Sequence, residues 1–179
     1  MLRQLTSLRG EASRVNLAGE NGERYLSFSS NDYLGMANHP EVMEAAQRAI
    51  ADHGVGSGSS RLIAGTHPAH VALEDALSDF KGTEAALTFA TGYATASGFA
   101  TAFLDRECIV LLDKLSHACL IDACRLSGVT MRVFRHNDLD KLESLLQWAR
   151  RQSPNRRVVI MTESIFSMDG DSAPLEEIV

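Results

Sequence analysis

Short apolar runs alternate with longer amphipathic segments along the second half of the chain. The runs are of strand length, about four to eight residues, and the segments between them carry apolar positions at helical spacing. Strict alternation of this kind predicts a parallel sheet covered by helices, an α/β fold. The predicted order is strand 85–90, helix 94–104, strand 108–112, helix 116–127, strand 131–134, helix 138–151 and strand 157–162.

The first half of the chain has a different pattern. Residues 1–26 predict an arm and a short edge strand, with a turn at Glu20–Gly22. A helix is predicted over 40–53, where a proline suits the first position and a glycine follows the end. A second helix is predicted with Thr66 as its N-cap and Gly82 after its last turn.

These elements predict two parts of unequal character. Residues 1–54 comprise the arm, the edge strand and the first helix, and residues 55–179 form the first part of a large α/β domain. After the strand 157–162 the chain stops at Val179, in the first turn of a predicted helix. We therefore expect the chain to be a truncated part of a larger domain.

The composition excludes several classes of protein. The net charge of −6 over 179 residues leaves no basic face for a nucleic-acid partner. The three cysteines include no C-x-x-C pair, which favours reduced thiols and a cytoplasmic location. Residues 85–104 carry no charge, but they are mostly Ala, Thr, Gly and Ser, so we expect no membrane helix.

Two predicted strand–turn–helix junctions carry candidate chemistry. Gly92 and Tyr93 follow strand 85–90, where the N–H groups of a helix start would hold a phosphate; a tight turn that needs glycine is the alternative. His117 follows the apolar run 109–112 at the carboxyl edge of the sheet, where open α/β proteins bind ligands. A solvated first-turn histidine is the alternative there. A planar, phosphorylated cofactor would use both junctions.

Three further motifs are weaker. His67, His70 and Glu74 share a helical face, but the sequence offers no second H-x-x-H or E-x-x-H group, and we expect no metal. The glycine-rich segment 54–60 lacks the Lys-Ser/Thr ending of a P-loop and predicts a flexible loop. Ser167 lies in a predicted Asp-Gly turn, or offers its hydroxyl to a ligand at the same edge.

Taken together, the motifs resemble the α-oxoamine synthases, pyridoxal-phosphate (PLP) enzymes of fold type I. The resemblance covers nearly the whole chain, and its specificity comes from seven strings in the same order. The strings are S-F-S-S-N-D-Y-L-G-M at 27–36, G-S-G-S-S-R-L-I-A-G at 56–65, H-V-A-L-E at 70–74, T-G-Y-A at 91–94, D-K-L-S-H-A at 113–118, F-R-H-N-D at 134–138 and T-E-S-I-F-S-M-D-G-D at 162–171.

The resemblance implies an acyltransferase that condenses an amino acid with an acyl thioester and releases carbon dioxide, with pyridoxal 5′-phosphate as cofactor. It also implies a homodimer with shared sites. The string L-S-H-A is most similar to the biotin-pathway branch, which uses L-alanine and a pimeloyl thioester. Other branches with different amino acids and acyl donors stay open. So does a truncated, non-catalytic paralogue that binds partner subunits.

The resemblance also implies roles for particular residues. The family's Schiff-base lysine and the Asp that pairs with the pyridine nitrogen would lie beyond position 179. The lysines present, Lys81, Lys114 and Lys141, do not match that lysine's context. We therefore expect this chain to shape part of the phosphate site without turning over. The resemblance implies that the backbone of Gly92 and Tyr93 binds the phosphate and that His117 stacks on the pyridine ring. It implies that Ser167 contacts the phenolic edge of the cofactor. It also implies that Asn31 lies near the substrate carboxylate and that Arg3 makes another substrate contact.

Overall fold

The computed structural model of the chain describes residues 8–11, 14–17 and 24–179, with side chains described from Tyr25 onward. The chain divides into two compact units, Met1–Ala86 and Leu87–Val179. The sequence-based division at 54–55 concerns the domains of the complete fold and stays a prediction.

The first unit begins with a small antiparallel sheet. Strands β1 (Leu8–Glu11), β2 (Arg14–Leu17) and β3 (Arg24–Leu26) lie in that order. The prediction of one edge strand was therefore wrong in number. Strands of three or four residues are too short for an alternating pattern to be recognised. The predicted turn at Glu20–Gly22 and the candidate Arg3 lie outside the described residues.

Two helices follow in this unit. Helix α1 (Pro40–His53) confirms the prediction. Helix α2 (Pro68–Lys81) begins after His67 rather than after the predicted cap Thr66. The His70 ring accepts from the His67 amide at 3.0 Å, and the His70 amide donates to the His67 carbonyl at 3.0 Å. The Thr66 hydroxyl instead donates to the Arg61 carbonyl at 2.7 Å.

The second unit contains the predicted α/β alternation. The strands β4, β5 and β6 are parallel and lie in the order β5-β4-β6. Each element is displaced by only one or two residues from its predicted bounds, and the predicted fold class is confirmed. The elements are α3 (Gly92–Phe103), β4 (Ile109–Asp113), α4 (Ala118–Ser127), β5 (Thr130–Phe134), α5 (Leu139–Gln152), β6 (Val158–Met161) and α6 (Leu175–Ile178).

The prediction of a strand at 85–90 was wrong. This segment joins neither sheet within the part of the chain that the structure describes. An apolar run makes a segment suitable for a buried strand, but a strand also needs a neighbouring backbone for its hydrogen-bond ladder. The sequence pattern reports only the first of these conditions.

Strand β4 is the centre of the second unit, and all five of its residues are buried. Val110 and Leu112 belong to a cluster that includes residues of α3 and α4. Ile109 and Leu111 belong to a second cluster that includes residues of α5. The sheet therefore lies between two helical layers, and the carboxyl ends of all three strands meet at one edge.

Burial differs sharply between the units. Among the residues of the first unit whose side chains are described, Gly65 alone is buried. The apolar face of α1 stays accessible, with Val42, Met43 and Ile50 about half exposed. None of the helices described here has the length and apolar character needed to cross a membrane.

Candidate active site

A cleft of about 770 Å³ lies in the second unit, where helices α3 and α4 begin. Its walls come from the first turns of both helices and from the segment that follows β6. The cleft is at the carboxyl edge of the parallel sheet, because His117 follows β4 and Glu163 follows β6. The lining residues are Gly92, Tyr93, Thr95, Ala96, Phe99, His117, Cys119, Leu120 and Glu163.

The first wall is the start of helix α3. Thr91 is its N-cap, and its hydroxyl oxygen accepts from the Ala94 amide at 3.1 Å. The Thr95 hydroxyl donates to the Thr91 carbonyl at 3.0 Å, so its proton is already used. The amide N–H groups of Gly92 and Tyr93 make no hydrogen bond within the described residues. The first turn therefore offers two donors to a ligand.

The space around Gly92 explains why a glycine suits the start of α3. A Cβ atom at this position would meet no heavy atom within 4 Å. Neither a left-handed backbone nor tight packing therefore requires glycine here. The space that a side chain would fill stays open for a group approaching the backbone amides.

The second wall carries His117, which is the N-cap of helix α4. The helix thus begins after His117 and not at Ser116 as predicted. The Nδ1 of His117 accepts from the Cys119 amide at 3.2 Å, and the Cys119 thiol is 3.0 Å from the same nitrogen. The backbone N–H of His117 donates to a carboxylate oxygen of Glu163. The Cys119 contacts orient the ring, Glu163 holds the backbone at the start of α4, and the histidine stays exposed.

The cleft combines polar and apolar groups. The free amides at the start of α3 and the His117 ring share it with the apolar side chains of Phe99 and Leu120. Hydrogen-bond donors at one end and ring surfaces at the other fit a planar phosphorylated group. The hydroxyls of Ser116 and Thr162 are buried without a hydrogen-bond partner within the described residues, but they are not among the groups that line the cleft.

A second polar cluster lies at the same edge of the sheet, and sequence reasoning assigned it no role. The His136 ring lies between two carboxylates, with Nδ1 3.0 Å from Asp113 and Nε2 2.7 Å from Asp171. Asp113 is 1% exposed. The hydrogen bonds to Asp171 and Asp113 raise the pKa of His136 above its ordinary value of 6.5.

The remaining predicted site residues that the structure describes are not among those that line the cleft. Ser167 lies in an exposed turn after β6. Asn31 is in the first unit, and its side-chain oxygen accepts from the Tyr33 hydroxyl at 3.4 Å. Glu74, which shares a helical face with His67 and His70, is bound through both oxygens by Arg61, at 2.5 and 2.9 Å. The roles given to Ser167, Asn31 and Arg3 stay predictions.

Sequence reasoning missed Glu163 as a residue that accepts from the backbone N–H of His117. The two are 46 positions apart, and no local pattern links them. A usable signal was nevertheless present, because Glu163 is a charged residue directly beyond the carboxyl end of a predicted parallel strand. Carboxyl ends of parallel strands meet at one edge, so the two turns had to be neighbours.

The cap of α3 gives a stability prediction. Replacing Thr91 with alanine is expected to lower the free energy of unfolding by about 1 kcal/mol, because the Ala94 amide loses its acceptor. Urea unfolding followed by circular dichroism measures the change. Thr101→Ala is the control, since that hydroxyl bonds a carbonyl in the helix interior and its loss should have little effect. Equal losses in both variants would contradict the capping role.

Comparison with known proteins gives one family. The model of the family described as aminotransferase class I and II matches residues 23–179. An 8-amino-7-oxononanoate synthase from Methylobacterium radiotolerans is 49% identical over 162 residues, which are 90% of this chain and 43% of that protein. An 8-amino-7-oxononanoate synthase from Bacillus velezensis is 43% identical over 99% of this chain and 44% of its own length. The chain thus spans less than half the length of these curated relatives.

Solved structures agree with this family. A serine palmitoyltransferase variant from S. paucimobilis, with bound PLP–myriocin aldimine, superposes with a TM-score of 0.88 at 30% identity. The alignment covers 96% of this chain and 43% of that one. An 8-amino-7-oxononanoate synthase from Francisella tularensis has a TM-score of 0.67 at 20% identity, over 84% of this chain and 40% of its own length. That likeness concerns the fold alone.

Proposed function

Since the chain belongs to the aminotransferase class I and II family, we propose that its second unit forms the cofactor-binding part of a pyridoxal-phosphate enzyme of the α-oxoamine synthase type. One observation carries this proposal. The cleft brings the unpaired amides of the α3 N-terminus and the oriented ring of His117 into one space. That pairing suits a cofactor with a phosphate at one end and an aromatic ring at the other.

The residues of the chain would hold this cofactor in two ways. The amide N–H groups of Gly92 and Tyr93 would donate to the phosphate, aided by the positive end of the α3 dipole. The His117 ring would stack on the pyridine ring, with its orientation held by Cys119 and its backbone held by Glu163. When bound, pyridoxal phosphate supplies an electron sink for negative charge at the α-carbon of an amino acid.

We propose 8-amino-7-oxononanoate synthesis, a step of biotin biosynthesis, as the reaction of the complete enzyme. The support is the identity of 43–49% to relatives that carry this name. In the reaction a bond forms between the α-carbon of L-alanine and the carbonyl carbon of a pimeloyl thioester (pimeloyl-CoA or pimeloyl-ACP). The thioester C–S bond breaks, the thiol leaves with a proton, and the alanine carboxyl group leaves as carbon dioxide.

Other parts of the proposal concern the residues and the setting beyond the cleft. Ser167 would contact the phenolic edge of the cofactor, and Asn31 and Arg3 would contact the substrate. The complete enzyme would be a homodimer in the cytoplasm, and the 56–60 loop would lie near a site shared between subunits. The resemblance of the sequence strings to the α-oxoamine synthases supports these roles.

Two groups of alternatives remain distinguishable by experiment. The first contains enzymes of the same type with other substrates: glycine C-acetyltransferase, 5-aminolevulinate synthase and, from the structural neighbours at 30% identity, serine palmitoyltransferase. The second is a non-catalytic paralogue that binds partner subunits. The enzymes differ in amino acid and acyl donor, whereas the paralogue would release no carbon dioxide with any pair.

Cofactor binding is the first test and uses variants of His117. Titration with pyridoxal phosphate, followed by absorbance, should give an affinity about three- to tenfold weaker for His117→Asn, because the stacked ring is lost. Asparagine is a good N-cap, so this variant keeps the start of α4 intact. His117→Phe keeps an aromatic ring and should bind more tightly than His117→Asn. Equal affinity of the wild type and His117→Asn would contradict the stacking role.

The reaction itself is tested with the complete product of the gene that encodes this chain. We expect carbon dioxide release and 8-amino-7-oxononanoate, detected by mass spectrometry, from L-alanine and pimeloyl-CoA or pimeloyl-ACP. Glycine with acetyl-CoA, glycine with succinyl-CoA and L-serine with palmitoyl-CoA are the matched comparisons. A faster reaction with one of these pairs would overturn the substrate assignment. Absence of reaction with every pair would favour the paralogue.

A further inference from the structure

The cluster around His136 joins segments that are distant in sequence. Asp113 ends β4, His136 follows β5 by two residues, and Asp171 lies beyond β6. Asp171 is part of a short hairpin, Ile165–Ser172, that carries Ser167 at its tip. An antiparallel bridge joins Ile165 to Ser172, and the Phe166 amide donates to the Asp171 carbonyl at 2.9 Å. His136 thus connects the end of β4 to this hairpin.

The two carboxylates are held differently. Asp113 is buried and also accepts from the amides of Leu115, at 2.8 Å, and Asn137, at 3.1 Å. Asp171 is 44% exposed, and besides His136 it has the side-chain amide of Asn137 at 3.2 Å. Loss of the imidazole contact would therefore free Asp171 more readily than Asp113.

The two carboxylates favour a ring that carries two N–H donors. Both ring nitrogens of His136 face carboxylate oxygens, and only the imidazolium donates to both. Nε2 also lies 3.3 Å from the side-chain nitrogen of Asn137, a contact that it can accept when the ring is neutral. A neutral imidazole would turn one lone pair towards a carboxylate. The rings of Phe166 and His136 pack in a T-shaped arrangement, with centroids 4.4 Å apart and planes at 82°. This contact limits rotation of the imidazole.

Other charged groups near the cluster do not replace this contact. Asp138 is engaged at the start of α5, where its carboxylate accepts from the Lys141 amide at 2.8 Å. Lys114 and Arg135 are the neighbouring cations along the chain, and neither forms an ion pair with Asp113 or Asp171 in the described structure. Asp113 and Asp171 are therefore the charged side chains that face the ring.

We propose that His136 is a positioning residue whose imidazolium pins the Ile165–Ser172 hairpin to the carboxyl end of β4, and that loss of its proton releases the hairpin while the end of β4 stays in place. The consequence for catalysis rests on the proposed function, because Ser167 is assigned there to the cofactor. The pinning itself is independent of that assignment.

The direction of the pH dependence follows from the raised pKa of His136. The stabilisation from its contacts is fully present below the ordinary value of 6.5 and is lost as pH rises through the raised value. The side chain is 21% exposed, so protons can reach it from solvent. The hairpin should accordingly be ordered below pH 6.5 and should loosen as pH rises above the raised pKa of His136.

Hydrogen exchange of individual amides in the full chain tests the proposal. Between about pH 6 and pH 9, the amides of Phe166 and Gly170 should lose about tenfold in protection, after correction for intrinsic exchange. The amides of Leu115 and Asn137, which bond Asp113, should keep theirs. His136→Gln should show the unprotected hairpin at both pH values. His53→Gln, in the other unit, should behave like the wild type.

A second variant separates charge from hydrogen bonding. Asp171→Asn keeps an oxygen that accepts from Nε2 but removes one of the two charges facing the ring. NMR of the His136 side chain should then show titration at lower pH, and the loss of hairpin protection should move with it. Protection of Phe166 and Gly170 that is independent of pH in the wild type would overturn the proposal. So would unchanged protection in His136→Gln.

The same samples separate this inference from the proposed function. Pyridoxal phosphate is titrated into the wild type, His136→Gln and His53→Gln at each pH. Weaker binding by His136→Gln alone would support the link between the hairpin and the cofactor. No binding by any of the proteins would count against the proposed function, while the exchange result still decides the role of His136.

Discussion

Replacing Asp113 with alanine is expected to lower the free energy of unfolding by about 3–5 kcal/mol, the range for breaking a buried charged pair by removing one partner. The carboxylate is 1% exposed and accepts from the His136 ring. It also accepts from the backbone amides of Leu115 and Asn137. Its loss leaves these donors at the end of β4 without their acceptor, and urea unfolding followed by Trp148 fluorescence measures the effect.

Two other variants make this prediction specific. Asp122→Ala removes an exposed carboxylate that pairs with Arg125 at 3.3 Å on the surface of α4, and it should cost about 1 kcal/mol or less. Asp113→Asn keeps one acceptor oxygen and should fall between the two alanine variants. If Asp113→Ala were no less stable than Asp122→Ala, Asp113 would not organise the edge of the sheet.

Replacing Leu111 with alanine is expected to lower the free energy of unfolding by about 2–5 kcal/mol. The substitution leaves a cavity in the central strand, where the surrounding side chains can relax least to fill it. Leu111 is fully buried in the central strand and packs in the cluster beneath α5. Trp148 borders the same cluster and is the single tryptophan of the chain. Its fluorescence therefore reports the unfolding of the unit that contains the mutation.

The matched control is Val133→Ala on the neighbouring strand β5. That side chain is 48% exposed, so its truncation should cost about 1 kcal/mol or less. A similar loss in Val133→Ala and Leu111→Ala would mean that β4 does not form the centre of the core. A much smaller slope of unfolding against urea in one variant would instead report a change in cooperativity.

The sequence predicted the helices better than the sheets. Helix α1 and the alternation from α3 to β6 follow from the apolar spacing and from end signals such as Pro40, which are local properties. The number of antiparallel strands and the absence of 85–90 from the parallel sheet were missed. Both depend on which backbone lies alongside, and a pattern within one segment does not contain that information.

The candidate site shows the same division. Gly92, Tyr93 and His117 were predicted from two strand–turn–helix junctions, and the structure brings them to one cleft. Glu163 and the His136 cluster were missed as contacts. Their partners are 23 to 46 positions away in the chain, although Glu163 and Asp113 each directly follow a predicted strand.

By itself, therefore, the sequence determined the α/β class, the family and the residues at the two helix starts that face the cleft. These depend on periodicity, on turn residues and on ordered strings, all of which are written along the chain. Tertiary structure alone decided that His117 caps α4 rather than following its start, that Glu163 accepts from its backbone N–H, and that His136 lies between Asp113 and Asp171. The physical reason is that a hydrogen bond depends on distances and directions between atoms, and folding sets these for residues far apart in the chain.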